Sequence, residues 1–218
     1  MDLKMNLNLT PFQEPRGVMR VLQLVFAVCA FTTVANFSVD YTIDCQDFVP
    51  QKAKVYTIDY PFRFYENVCR RMSNNESLAI TADVSTDAQF YVATGVLSML
   101  YGLFIIFVYA FLDELYKSKN EIPLADFMLT TIFAVLWLSS SAAMANSTTA
   151  LKNVLDPEYA REMCRHCPVV SNSGFNGLHS SLLIGFLNFF LWASDLWFVY
   201  KETYWFQTRQ GPSQTPIS

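Results

Sequence analysis

Charge is missing from four long stretches of this 218-residue chain, and no other feature limits its fold so strongly. Nineteen uncharged residues separate Arg20 from Asp40, 25 separate Asp87 from Asp113, and another 25 separate Asp126 from Lys152. A fourth stretch runs from His166 to Ser194, and beyond it only Asp195 interrupts the apolar sequence up to Tyr200. About 20 predominantly apolar residues cross a bilayer, so the pattern predicts four transmembrane helices. They fall at about 18–39, 89–112, 125–146 and 176–200. A soluble globular domain, a nucleic-acid binder and a disordered tail are excluded. The net charge of −4 says little about partners when so much of the chain lies in lipid.

The first span invites comparison with a cleaved signal peptide. Its 19 charge-free residues exceed the roughly 7–15 of a signal h-region, and 20 residues precede it, which favours a retained helix. The chain then divides into an N-terminal segment 1–17, a four-span domain 18–200 and a short tail 201–218, with large loops at 40–88 and 147–175. Counting Lys and Arg does not orient it, since one side carries seven and the other eight. Position does: Arg16, Arg20, Lys117, Lys119 and Lys201 hug the span ends, where the positive-inside bias acts, so both termini are expected in the cytoplasm.

The cysteines follow the same division. Cys29 lies in the first span, Cys45 and Cys69 in the first large loop, and Cys164 and Cys167 in the second. Two per loop on one side suits an oxidising compartment. Cys45–Cys69 with Cys164–Cys167 is the economical pairing, although four cysteines allow three pairings, and Cys164-Arg165-His166-Cys167 also reads as half of a zinc site or as a redox dithiol. In the first loop, apolar and polar residues alternate from Val55 to Phe64 and again from Leu78 to Ser85, the period of half-buried strands. With Asn74-Asn75 as the turn, they predict one small disulfide-stapled sheet, with Pro61 at an edge or bulge.

Beyond that zinc or dithiol reading, no catalysis, cofactor or metal is expected. It has two histidines, His166 and His179, and lacks a His/Glu zinc motif, a phosphate loop and a nucleophile elbow. Asp195 is the sharpest single residue, because intramembrane acids are costly and face a bundle interior or mark an ion path. Near the end of its span it can snorkel, or pair with Arg20 or Gln23 at similar depth on the first helix. Ser181, Gly185, Asn188, Trp192 and Asp195 share one face of the fourth helix. Thr94, Ser98 and Gly102 form a small-residue row on the second, and Ser139 with Ala143 does so on the third. Such rows pack helices within a chain or between copies, with a pore lining as the other reading. Trp192, Trp197, Tyr200, Tyr204 and Trp205 predict an interfacial aromatic belt. Of the sequons at Asn8, Asn36, Asn75 and Asn146, only Asn75 sits at a loop tip where a glycan fits.

Several strings in fixed order carry a family resemblance. Glu14-Pro15-Arg16-Gly17 is followed by Val21-Leu22-Gln23-Leu24-Val25-Phe26-Ala27; later come Tyr60-Pro61-Phe62-Arg63, Pro123-Leu124-Ala125-Asp126-Phe127 and Trp137-Leu138-Ser139-Ser140-Ser141-Ala142. Leu196-Trp197-Phe198-Val199-Tyr200-Lys201-Glu202-Thr203 closes the series. Over about residues 12–206 the chain resembles the synaptophysin family, as a short-tailed member. The resemblance implies an all-α four-helix membrane protein of the MARVEL type, to which the alternation in the first large loop adds a small β-subdomain. It also implies one disulfide in each luminal loop, homo-oligomers, cholesterol-rich membranes and a vesicle SNARE partner, synaptobrevin. The expected role is to organise SNARE cargo and membrane in regulated exocytosis and recycling. The alternatives are an oligomeric vesicle ion channel and a membrane-shaping role in constitutive vesicles or muscle junctions. The chain departs from the family in lacking a long Tyr/Gly/Pro/Gln tail and a sequon after Cys45, and in the closeness of Cys164 to Cys167.

Overall fold

The computed structural model describes residues 9–43, 48–49, 54–71, 77–119, 121–155, 169–171 and 174–203. Among them, four helices are long and apolar enough to cross a membrane: α1 Pro15–Ala35, α2 Ser85–Phe111, α4 Glu121–Val154 and α5 Asn176–Glu202. A short helix α3, Asp113–Ser118, follows α2.

Local chemistry sets the helix ends where hydropathy alone misplaces them. α1 stops at Ala35, short of the expected 39, because Ser38 already opens a strand. α2 starts at Ser85, with Asp83 accepting from the Ser85 backbone N–H (3.1 Å) and Oγ (2.7 Å) in the manner of an N-cap. α4 begins at Glu121 and takes Pro123 into its first turn, where a missing N–H costs no hydrogen bond. It then runs to Val154 rather than ending near 146, a length of about 50 Å at the usual rise per residue. The polar run in its last turns is absorbed locally. Thr148 and Thr149 donate to the Met144 and Ala145 carbonyls, and Leu151 is buried.

The chain forms two compact units: Met1–Val28, Thr94–Leu138 and Gly185–Ser218 in one, and Cys29–Ala93 with Ser139–Ile184 in the other. The second unit holds the strands, and here the structure corrects the single stapled sheet. Two three-stranded antiparallel sheets form instead. One places β1 Ser38–Ile43 between β3 Lys54–Asp59 and β6 Val169–Ser171. The other places β4 Arg63–Arg71 between β2 Phe48–Val49 and β5 Ser77–Asp83. The stretch Val55–Phe64 is therefore not one strand. Pro61 follows a cis bond, and Phe62 adopts a positive φ of 68°, so the chain turns out of the first sheet and into the second. The Phe62 N–H donates to Asp59 O (2.7 Å), and its own carbonyl accepts from Val84 (3.2 Å). The second large loop also contributes to the first sheet through β6.

Aromatic rings fill the space between these sheets. Tyr41 and Tyr56 are cross-strand partners stacked at 5.5 Å, and Phe64 of the second sheet meets both edge-on at 5.4 and 5.9 Å. Rings at such separations add about 0.5–1.5 kcal/mol beyond their burial. Phe62, fully buried, packs edge-on against Phe37 at 6.0 Å. Phe37 in turn occupies the space over Gly177, where an added Cβ would come within 3.0 Å of its ring. Cys45, Cys164, Cys167 and Asn75 lie outside the described residues, and Cys69 is placed only by its backbone in β4, opposite Leu78. The predicted staples and glycan site therefore fall outside what the structure describes.

In the first unit, a 3-10 turn at Thr10–Gln13 folds onto the start of α1. A Cβ at Gly17 would lie 2.2 Å from the Pro11 carbonyl oxygen, so only glycine permits this approach. The string Glu14-Pro15-Arg16-Gly17 thereby acquires a physical meaning. Pro15 opens the helix, Gly17 admits the turn, and Glu14 binds Arg16 Nε at 2.8 Å.

Candidate functional site: a buried charge network

Arg20 is wholly buried in the first unit and links all four long helices there. From α1 it donates through Nη2 to Asp126 Oδ1 of α4 at 2.6 Å and to Thr130 Oγ1 at 2.7 Å. Its Nη1 lies 3.0 Å from Asp195 Oδ2 on α5 and donates to Gln23 Oε1 at 3.0 Å. The guanidinium also stacks over the ring of Tyr101 on α2 (5.6 Å) and of Trp192 on α5 (5.2 Å). A planar, permanently charged fork can serve this many partners at once, whereas a lysine ammonium cannot.

Asp126 is the acceptor on which the network converges. Besides Arg20, its Oδ1 takes the Tyr101 hydroxyl, while its Oδ2 takes the hydroxyls of Tyr109 (2.6 Å) and Tyr116 (2.9 Å). Burial, reinforced by the Asp126 carboxylate, holds the Tyr116 phenol far above its usual range, so this ring stays a donor. Asp195 is served more thinly, with Gln23 Nε2 (3.1 Å) and Arg20 both on Oδ2. A second cation, Arg16, sits above the rings of Tyr109 and Tyr116 at 5.2 and 5.4 Å. It reaches Asp113 at 3.4 Å and Glu202 at 3.7 Å as well as Glu14.

The second unit joins the same four helices through hydroxyls, backbone carbonyls and one carboxylate, Asp87. The Tyr91 hydroxyl of α2 donates to the Ser181 carbonyl of α5 at 2.7 Å, and Ser181 Oγ donates to Ala30 O of α1 at 2.8 Å. Ser147 of α4 donates to Asp87 of α2.

The seven residues expected to form a packing or oligomer seam are all buried within the single chain: Thr94, Ser98, Gly102, Ser181, Gly185, Asn188 and Asp195. Gly102 faces Leu24 of α1, and Ser98 donates to Gly95 O of its own helix. On the third long helix, Ser139 is exposed while Ser140 and Ser141 are buried, so the expected row is displaced around the helix. Trp192 is not a belt residue. It is fully buried beneath Arg20, between Tyr101 and Phe133, whereas Trp197 stays 56% exposed with Lys201 Nζ over its ring at 5.2 Å. Tyr204 and Trp205 lie outside the described residues. Arg16 and Arg20, counted as interfacial cations in the sequence, are buried ion-pair partners.

Sequence reasoning missed Asp126 as the hub, along with Tyr101, Tyr109, Tyr116 and Asp113. The available signal was an acid in the second turn of a helix that carries Pro123 in its first, together with tyrosines at 101 and 109 in an otherwise apolar helix. Ion pairs and tyrosine hydroxyls sequestered among long apolar helices define a multi-pass membrane protein whose packing is polar at chosen points. The family model for the MARVEL membrane-associating domain matches residues 12–198, and the chain belongs to that family.

Proposed function

We propose that this protein is a synaptophysin-like vesicle membrane protein that organises SNARE cargo and membrane during regulated exocytosis and recycling. Both termini are cytoplasmic in this reading, the loops are luminal with Cys45–Cys69 and Cys164–Cys167 as staples, and Asn75 is the glycan acceptor. The protein works as a homo-oligomer in cholesterol-rich membrane, with a synaptobrevin-type SNARE as partner. One observation carries the reading: the strings shared with the synaptophysin family fall on the residues that shape the structure. Arg16 and Gly17 seat the first turn, Pro61 and Phe62 route the chain between sheets, Asp126 receives the network, and Glu202 reaches Arg16.

The polar face of α5 is buried within the chain, with Ser181 and Asp195 bonded to α1. That favours a scaffold for partner helices over a pore lining. The test is recovery of synaptobrevin with the tagged protein from detergent-solubilised vesicles, together with localisation of the tagged protein. Co-purification in a vesicle fraction supports the reading, and repeated failure to recover the SNARE overturns the partner assignment.

A further inference from the structure

The buried charges of the first unit do not balance. At the centre, one guanidinium, Arg20, faces two carboxylates, Asp126 and Asp195, and all three are at most 2% exposed. Adding the neighbouring buried pair, Arg16 with Asp113, leaves the same excess of one negative charge. Glu14 and Glu202, which also face Arg16, are 41% and 33% exposed and add only negative charge. Among the described residues, the other groups bonded to Arg20, Asp126 and Asp195 are Gln23, Thr130 and the hydroxyls of Tyr101, Tyr109 and Tyr116, and none of these is a cation. An unmatched charge buried among apolar helices is strongly unfavourable, so a positive charge must compensate it.

The two carboxylates are not equivalent receivers. Both oxygens of Asp126 are filled by donors from α1, α2, α3 and α4. On Asp195 both donors crowd onto Oδ2, while the buried Oδ1 has no hydrogen-bond partner among the described residues. Carboxyls held in such unequal surroundings divide the ionised and protonated roles between them. A metal ion fits poorly at Asp195, because its neighbours are a guanidinium at 3.0 Å and an amide N–H, which are donors rather than ligands. Among the described residues, no cluster of His, Cys, Asp and Glu suits a metal.

We propose that the charge network is a proton-binding site, with one proton held on Oδ1 of Asp195 while Asp126 stays the ionised partner of Arg20. Uptake forms one O–H bond on that oxygen and brings the inner cluster to zero net charge; release restores the excess negative charge where four helices meet. Proton occupancy thereby sets the charge state of this helix junction.

The experiment is infrared spectroscopy of the full-length protein in lipid nanodiscs, with aspartate carboxyl groups labelled with carbon-13. At pH 7 the wild-type protein should show the C=O stretch of a protonated aspartic acid, shifted by the label. The band should disappear in Asp195→Asn. That amide has the shape of the protonated acid, so the variant should keep wild-type thermal stability. Absence of the band from the wild type, its survival in Asp195→Asn, or failure of Asp195→Asn to fold at pH 7 would each overturn the proposal.

Discussion

The two units bind the same four long helices by opposite means. In the first, the Arg20–Asp126 ion pair stands at the centre, joined by Asp195 and the tyrosine hydroxyls; in the second, Tyr91, Ser181 and the Ala30 carbonyl tie α1, α2 and α5 with neutral groups, and the Ser147 hydroxyl ties α4 to Asp87. The difference matters because a buried ion pair loses far more when one member is removed than a neutral hydrogen bond does. Severing a buried pair costs about 3–5 kcal/mol, because the surviving charge is stranded, against about 1 kcal/mol for an ordinary hydrogen bond. The charged unit is the more brittle of the two, and the neutral unit the more tolerant of substitution.

Arg20→Met should show the largest effect, a loss of about 3–5 kcal/mol in unfolding free energy, since the Asp126 carboxylate would lose the buried cation it is paired with. Chemical denaturation of the purified protein in detergent measures it. Tyr109→Phe removes one donor from an ionised acceptor and should cost about 1.5–3 kcal/mol in the same assay. Ser181→Ala, its counterpart in the second unit, removes the bonds of its Oγ to Ala30 O and to the Tyr91 hydroxyl and should cost about 1–2 kcal/mol. A Ser181→Ala loss as large as that of Arg20→Met would erase the distinction between the units.

The smallest effect concerns a titration outside the helices. Hydrogen bonds from Ser85 Oγ, Tyr65 and the Ser85 backbone, with Arg63 nearby, hold the Asp83 carboxyl below its ordinary value of 3.8. A depressed carboxylate stabilises the fold above that value and loses its contribution as the pH falls below it. Carbon-13 NMR of Asp83 should therefore give a midpoint under 3.8 that rises in Ser85→Ala. An unmoved midpoint would show that the cap does not set this titration.

Much of the helical architecture was legible, because a charge-free run of 20 or so residues has few other solutions. The sheets were less so. Alternation between Val55 and Phe64 is real, with Tyr56, Ile58, Phe62 and Phe64 buried, but period two continues across a change of sheet. Only the backbone at Pro61 and Phe62 reveals the break, and the pairing of β1 with β6 joins residues too far apart in sequence for local patterning to show. In the charge network, Asp195 stood out because it interrupts an apolar run, and its partners Arg20 and Gln23 lay at matching depth. Asp126 passed for an interfacial residue because it stands at the border of a window. Its role depends on tyrosines from α2 and α3 arriving at the same point, which is a property of the fold rather than of the neighbouring sequence. Trp192 misled for a related reason: aromatic residues near a span end suit a belt, yet this one faces a buried cation.

A double-mutant cycle on Arg20 and Asp126 tests the charged junction most directly. Unfolding free energies of Arg20→Met, Asp126→Leu and the double variant, measured in one detergent, give the coupling between the two side chains. A bonded, buried pair at 2.6 Å should show a coupling of about 1.5–3 kcal/mol, the double variant losing that much less than the sum of the singles. Losses that add to within about 0.5 kcal/mol would mean that the guanidinium and carboxylate do not hold the first unit together.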